Sequence, residues 1–516
     1  MKMMKHKIFC SLAGLALLAA AGARAEQSAF EACPDSFEEI WEIEDTHAQS
    51  AERLVEVELD GYRLPYDAAT GTWYCPVGID NGGSWPELKL TAAGEGEPRA
   101  IWIDRYTDDG CAQAVQNGEV YSFLAVAGER YAYYNVLFTG AELIDIHCDQ
   151  DIEGEYVPCQ VGIRSEHPED NVDSDALIHL RGGGDLHESE KVSYRIEFHK
   201  TEEKKRKVSV LGLPKDTDWI LRAAIEDPSV VHDRACWALW NLWDQGEGRT
   251  QLQTKSVEVF VNDEYRGLYE LLQRVDTKKE IRAWGNPETD VCIRVIHEHN
   301  PDEKYPRQNS VSMHGSAYQI RYKPENMTEE EAFSLMDDYE KLYTIGPDQL
   351  EDGAFVSLMQ ARFDLRELLD YYLFHKLCGF RNNLTNNLYI WISRTEDGGL
   401  TYHLSPWDMD IAWDLNEEGD ACSFPYIDRL LDLHALDSWT ILRELLAEKE
   451  ERVIGTGAVE GIFDTLQNEL QKSGAYLRET ALWRGGAVSP NVRRIQGSYF
   501  DRLDSVRDWL EDLLAE

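Results

Sequence analysis

Residues 377–391 read LCGFRNNLTNNLYIW, and residues 402–414 read YHLSPWDMDIAWD. The first stretch closes a run with Leu365, Leu369, Leu373 and Leu377 four positions apart, which puts the four on one helical face with Asp364 placed as N-cap. After Gly379 the pattern breaks into polar residues, then resumes as the apolar LYIWIS, which reads as a strand. Asn382 and Asn387 stand five positions apart in the connection, and Asn387 ends the loop where it could offer an amide oxygen. In the second stretch Asp408 and Asp410 alternate around Met409, so an extended chain turns both carboxylates to one side. Trp407, Met409, Ile411 and Trp413 make their surroundings apolar. Two desolvated carboxylates need a cation to join them, and Mg²⁺ favours one or two carboxylates completed by phosphate oxygens. The competing reading is a turn at a strand end with solvated acids.

Upstream, HLRGGGD sets Arg181 beside three glycines, and EKVSYRIEF supplies Lys191 and Arg195. A strand, a glycine-rich turn and a returning strand can fold over an anion, with backbone N–H groups and a cation facing it; an ordinary hairpin is the alternative. SVEVFVNDEYRGLYELL reads as a second hairpin, VHDRACWALWNLWDQ as a helix, and TEEKKRK as a solvated hairpin tip. Tyr499, Leu503, Val506 and Leu510 form a core stripe on a C-terminal helix.

Residues 26–150 differ in texture: short runs such as TGTWYC, AIWIDRY and YAYYNVLF, broken by turn signals, predict an all-β, sandwich-like accessory domain. Before it, the basic MKMMKHK, an apolar stretch and Ala23-Arg24-Ala25 have the layout of a secretory signal peptide over residues 1–25. The expectation is an exported chain with no membrane span once the leader is removed. Without that leader, 47 basic residues face 95 acidic ones. Such a field repels nucleic acid and anionic membranes, and an anionic ligand needs a local basic pocket or a divalent cation. Excluding Cys10, nine cysteines remain, an odd number, with Cys75–Cys111 and Cys148–Cys159 as plausible local bridges.

Five blocks, taken in order, resemble the spore coat protein H (CotH) kinase family of atypical secreted protein kinases. They are IHLRGGGD with KVSYRIEF, LGLPKDTDWIL, VEVFVNDEYRGLYELLQRVD, DYYLFHKLCGFRNNLTNNLYIW and LSPWDMDIAW, spanning roughly residues 175–415. The resemblance implies an α+β chain in which residues 151–516 form an atypical two-lobed kinase-like domain with a helical C-terminal part. It implies Mg²⁺ and ATP as cofactors, and transfer of the γ-phosphate to hydroxyls of a secreted or surface protein. By motif position Lys191 would touch the nucleotide phosphates, Arg181 and Arg195 would support them, and Asp408 and Asn387 would hold metal, with Asp410 assisting. Protein kinases space the catalytic Asp five residues before a metal-binding Asn; here Asn382 stands in the Asp position. An amide cannot take the hydroxyl proton, and loss of a general base costs about 10²- to 10⁴-fold. Gln273 and His232-Asp233 also depart from the family pattern, and Gln273 in place of Glu would leave Lys191 without an expected ion pair. A weakened kinase, a nucleotide-binding pseudokinase scaffold and a surface adhesion protein are the three readings the sequence leaves open.

Overall fold

The computed structural model describes residues 28–94, 96–106, 110–181, 190–201, 204–225, 227–244, 250–296, 310–313, 316–344, 350–379, 387–413, 424–485 and 492–512. The chain divides into two units, one drawn from residues 1–114 and 119–138, the other from 115–118 and 139–516.

The first unit is strand-rich, as its short runs of β-branched and aromatic residues predict. Among the described residues nine of its strands lie on one hydrogen-bonded path, with Val120–Ala127 antiparallel between Pro98–Trp102 and Arg130–Thr139, and a tenth, Ala48–Gln49, pairs off that path with Arg130–Thr139. The helix Glu38–Thr46 buries Ile40 and Ile43 against Ile101 and Leu124.

In the second unit a sheet closes on itself. Its order is Val172–Arg181, Val157–Arg164, Glu142–His147, Thr254–Val261, Glu264–Gln273, Asp218–Arg222 and Ser193–Thr201, which pairs back with Val172–Arg181. Side chains alternate across the pleat. Ile178, Ile196, Leu221 and Tyr269 fill the interior, so their neighbours Arg181, Arg195, Arg222 and Glu270 point outward. The hairpin Thr254–Val261/Glu264–Gln273 turns through Asn262 and Asp263, both left-handed at φ 53° and 60°. That is the two-residue turn whose twist matches the strands, and it suits Asn and Asp.

A second, antiparallel sheet runs Ser310–Met313, Ser316–Tyr322, Val291–Ile296, Leu388–Arg394, Leu400–Pro406. Leading into it is the helix Leu365–Cys378, which Asp364 caps by accepting from the N–H groups of Arg366 and Glu367, and which Gly379 ends at φ 65°. Leu368 to His375 are all buried, while Leu365 is only partly so. The helix is therefore covered around most of its circumference, not along a single leucine stripe. Helices Ser438–Arg452, Ala458–Lys472, Ala475–Trp483 and Val492–Asp512 complete the unit. Tyr499, Leu503, Val506 and Leu510 are buried core residues. Among the described residues no helix is long and apolar enough to cross a membrane.

Candidate functional site

Strands Leu388–Arg394 and Leu400–Pro406 pair down to Leu388↔Pro406, which leaves Asn387 opposite Trp407 at the open end of the hairpin. The Trp407 N–H donates to Asn387 O at 2.9 Å, and the Asn387 N–H to Val295 O at 3.1 Å. Asn387 and Asp408 both adopt left-handed backbone, φ 54° and 57°, a conformation Asn and Asp tolerate best among non-glycine residues. The extended strand expected through Asp408 and Asp410 is thus corrected: the strand ends at Pro406 and the two acids lie in a turn. The turn is anchored by the Met409 N–H, which donates to Asp233 Oδ1 at 2.7 Å.

The two carboxylates converge nonetheless, because both meet Arg222. Its Nη2 lies 3.5 Å from Asp408 Oδ1 and in direct contact with Asp410 Oδ2; its Nη1 lies 3.1 Å from Asp233 Oδ2 and 3.9 Å from Glu270 Oε2. One guanidinium thus faces four carboxyl groups from three parts of the chain. Burial pushes Asp233 up against the pull of Arg222, and pushes Glu270 well above the usual carboxylate range. Both Glu270 oxygens are buried without a hydrogen-bond partner. Asp408 and Asp410 keep 32% and 24% side-chain exposure while Arg222 keeps 8%, so these two acids are the ones a cation from solvent can reach. Among the described residues no three His, Cys, Asp or Glu side chains are arranged to hold a metal. The donor set fits a Mg²⁺ ion whose remaining ligands are phosphate and water oxygens, with Asp408 and Asp410 as its carboxylates.

Beside the acids lies a cationic surface. The guanidiniums of Arg181 and Arg294 sit 5.6 Å and 5.7 Å from the Trp407 ring centroid. Burial lowers the Arg181 pKa, offset by Asp408, and draws Arg294 down to about 10, still protonated at neutral pH. Arg195 stacks over Tyr156 at 5.7 Å and contacts Asp218 directly. Burial alone would push Asp218 up; Arg195 and Lys205 override it and hold its carboxyl at about 2.

Lys191 lies elsewhere in the network. Its ammonium is fully buried, donating to Glu479 Oε1 at 2.8 Å and to Leu268 O at 2.6 Å. Burial draws it down to about 8 against the pull of Glu479. The expectation that Gln273 would leave Lys191 without an ion pair is corrected, since Glu479 from the helix Ala475–Trp483 supplies one. Gln273 instead donates from Nε2 to Pro214 O at 2.7 Å. Asn382 and the glycine loop after Arg181 lie outside the described residues.

Residues 178–469 match the family described as CotH kinase protein. The chain belongs to the CotH kinase family. No curated protein matches it. The CotH match takes in Arg181, Lys191, Arg222, Arg294, Asn387, Asp408 and Asp410, and stops within the helix Ala458–Lys472. Glu479, the partner of Lys191, therefore lies beyond the CotH span, as does the whole first unit.

Sequence reasoning singled out Arg181, Asn387, Asp408 and Asp410, and the structure brings these together; it placed no role on Arg222, Glu270 or Arg294. Only the need for a partner was legible, not the partner: Glu270 and Arg294 are lone charges in the apolar runs GLYELL and VCIRVI, Arg222 closes the strand DWILR, and a charge on a buried face needs a partner or a ligand.

Proposed function

We propose that this chain is an exported CotH-family protein kinase that binds Mg²⁺-ATP and transfers the γ-phosphate to hydroxyls of a secreted or surface protein, slowly because Asn382 replaces the catalytic acid. On this reading the closed barrel and the second sheet with its helices act as two lobes. ATP phosphates lie between them against Arg181 and Arg294, and Asp408 with Asn387 seats the metal that screens them from so acidic a chain. When bound, the ion would neutralise charge on the phosphoryl oxygens in flight. The chain's own part is to position: Arg222 holds Asp408 and Asp410 in place, and Asp233 fixes the turn that carries them.

The observation that carries the reading is the hydrogen bond from Trp407 to Asn387 O, with left-handed backbone at Asn387 and Asp408. It joins two motif residues at one point beside half-buried arginines. Strained backbone of this kind costs about 1–3 kcal/mol per residue and gathers at working sites. The test is autophosphorylation of the mature chain with γ-labelled ATP. Expected is slow, Mg²⁺-dependent transfer that Asp408→Ala abolishes and Asn382→Asp accelerates by about 10²-fold or more. No transfer by either wild type or Asn382→Asp, with no nucleotide-induced rise in Tm, would remove the reading.

A second reading has its own support. Lys191 keeps 0% side-chain exposure, with its ammonium on Glu479 and Leu268 O, so the lysine expected at the phosphates is shut off from solvent, which favours a nucleotide-binding scaffold without turnover. Mg²⁺-ATP would then raise Tm by ligand linkage, and Asn382→Asp would not restore transfer.

A further inference from the structure

In a chain of formal charge −44, five guanidiniums stand close enough to repel one another. Arg294 feels Arg181 on one side and Arg321 on the other, and Arg274 feels both Arg321 and Arg195. Carboxylates act from the two ends of this series: Asp408 acts on Arg181 and, more weakly, on Arg294, and Asp218 takes Arg195, with Arg274 at 3.8 Å. Among the described residues no carboxylate pairs directly with Arg294 or Arg321. Arg294 makes no hydrogen bond or ion pair among the described residues, and its Nε is buried without a partner. Arg321 donates from Nη1 to Gln319 Oε1 at 3.2 Å, and its Nε too is buried without a partner.

Like charges crowded this way destabilise the ligand-free chain, and buried donors left unsatisfied add to the cost. What relieves both is an anion of several charges. The geometry narrows its class. Two guanidiniums sit over the Trp407 ring, and planar guanidinium forks match tetrahedral phosphate oxygens two bonds at a time. Cations strung in a series match anionic groups strung in a series. Arg181, Arg294, Arg321 and Arg274 are half-buried, so a ligand can reach them.

We propose that Arg181, Arg294 and Arg321 grip an oligophosphate chain, with Trp407 as the plate behind the first two and Lys191 taking no part. The inference rests on the nucleotide reading above for the source of that chain; a nucleoside triphosphate and an inorganic polyphosphate present the same chemistry to the arginines.

The test is titration calorimetry of the mature chain with Mg²⁺-ATP and, separately, with magnesium tripolyphosphate. Wild type, Arg294→Ala, Arg294→Lys and Arg321→Ala are compared, and Tm is measured on each ligand-free sample. Arg294→Ala weakens both ligands about 10- to 100-fold, the loss expected for charge-assisted hydrogen bonds, and Arg294→Lys recovers part of it. Ligand-free Tm of Arg294→Ala stays level or rises, because an unpaired repelling charge has gone; a structural arginine would lower it. Arg321→Ala gives the same sign by a separate route if Arg294→Ala does not fold. Wild type binding tripolyphosphate but not Mg²⁺-ATP supports the arginine grip while removing the nucleotide reading. Unchanged affinity in both alanine variants, or no binding of either ligand by wild type, overturns the proposal.

Discussion

Arg222 shows what a single residue holds together. Four carboxyl groups surround its guanidinium, and removing one partner from a buried ionic cluster costs about 3–5 kcal/mol. Arg222→Met is expected to lose that much in urea unfolding at pH 7; a loss under about 1 kcal/mol would argue that the four carboxyl groups do not depend on it. Glu270→Gln, by contrast, is expected to change stability by under about 1 kcal/mol, because burial already favours the neutral acid. His375 carries the pH signature. It is fully buried, with Nδ1 2.9 Å from Tyr371 O, and burial lowers its pKa to about 3 from an ordinary 6.5. The unfolded chain therefore binds a proton between pH 6.5 and 3 that the folded chain refuses, and stability falls as pH falls through that window. From pH 7 to pH 5 this contributes a loss of about 2 kcal/mol, which His375→Gln should abolish in paired unfolding curves. At this scale the sequence showed the Asp364 cap and the Asp408–Asn387 neighbourhood, both set by local pattern. Arg222 stayed hidden because its partners come from residues 233, 270, 408 and 410, and only the fold brings them to it.

At the scale of elements, the helix Ala475–Trp483 is bolted to the barrel through buried ion pairs, Arg478 with Glu258 and Glu479 with Lys191. Glu479 accepts from Lys191 at 2.8 Å and from the Leu268 N–H at 2.8 Å, and Trp483 Nε1 donates to Arg266 O at 3.0 Å. The approach is so close that a Cβ on Gly267, φ 89°, would stand 2.4 Å from Glu479 Oε2. Lys191→Met and Glu479→Leu should each destabilise by about 3–5 kcal/mol, and the double variant should recover most of it, since a buried pair exchanged whole for apolar groups is often neutral. An additive double variant in urea unfolding would contradict this. Two thiol pairs also link elements: Cys148 with Cys159, and Cys236 with Cys378, each pair close enough to hydrogen-bond. Glutathione disulfide should oxidise Cys148–Cys159 first, each bridge lowering the mass by two hydrogens, because Cys148 is half-exposed whereas Cys236 and Cys378 are wholly buried. Peptide mapping that finds neither bridge would count against the contact. Elements with a strong period or turn signal, such as the Asn262-Asp263 hairpin and the Val492–Asp512 helix, were legible in sequence. Barrel closure was not, because Val172–Arg181 pairing with Ser193–Thr201 and Glu142–His147 with Thr254–Val261 leaves no local mark.

For the whole molecule, the balance of charge sets the terms. With 95 acidic residues against 51 basic ones, an anionic ligand approaches against the field, and the second unit answers with guanidiniums gathered near Asp408. Composition revealed the problem, and the glycine-rich stretch at Arg181 revealed part of the answer. The rest was illegible, because Arg294 and Arg321 look like isolated strand charges until the second sheet sets them beside the barrel. Nucleotide affinity should therefore depend on the divalent ion: in calorimetry, ATP with chelator should bind at least about tenfold more weakly than Mg²⁺-ATP, and equal affinity would mean the acids near Asp408 are not screened by metal. The most direct measurement is a crystal structure of the chain from residue 26 onward, grown with Mg²⁺ and a non-hydrolysable ATP analogue. The account predicts the ion on Asp408, within reach of Asn387, and the phosphates against Arg181 and Arg294. Phosphates bound at Lys191 with Glu479 displaced, or an analogue seated away from Asp408 altogether, would contradict it.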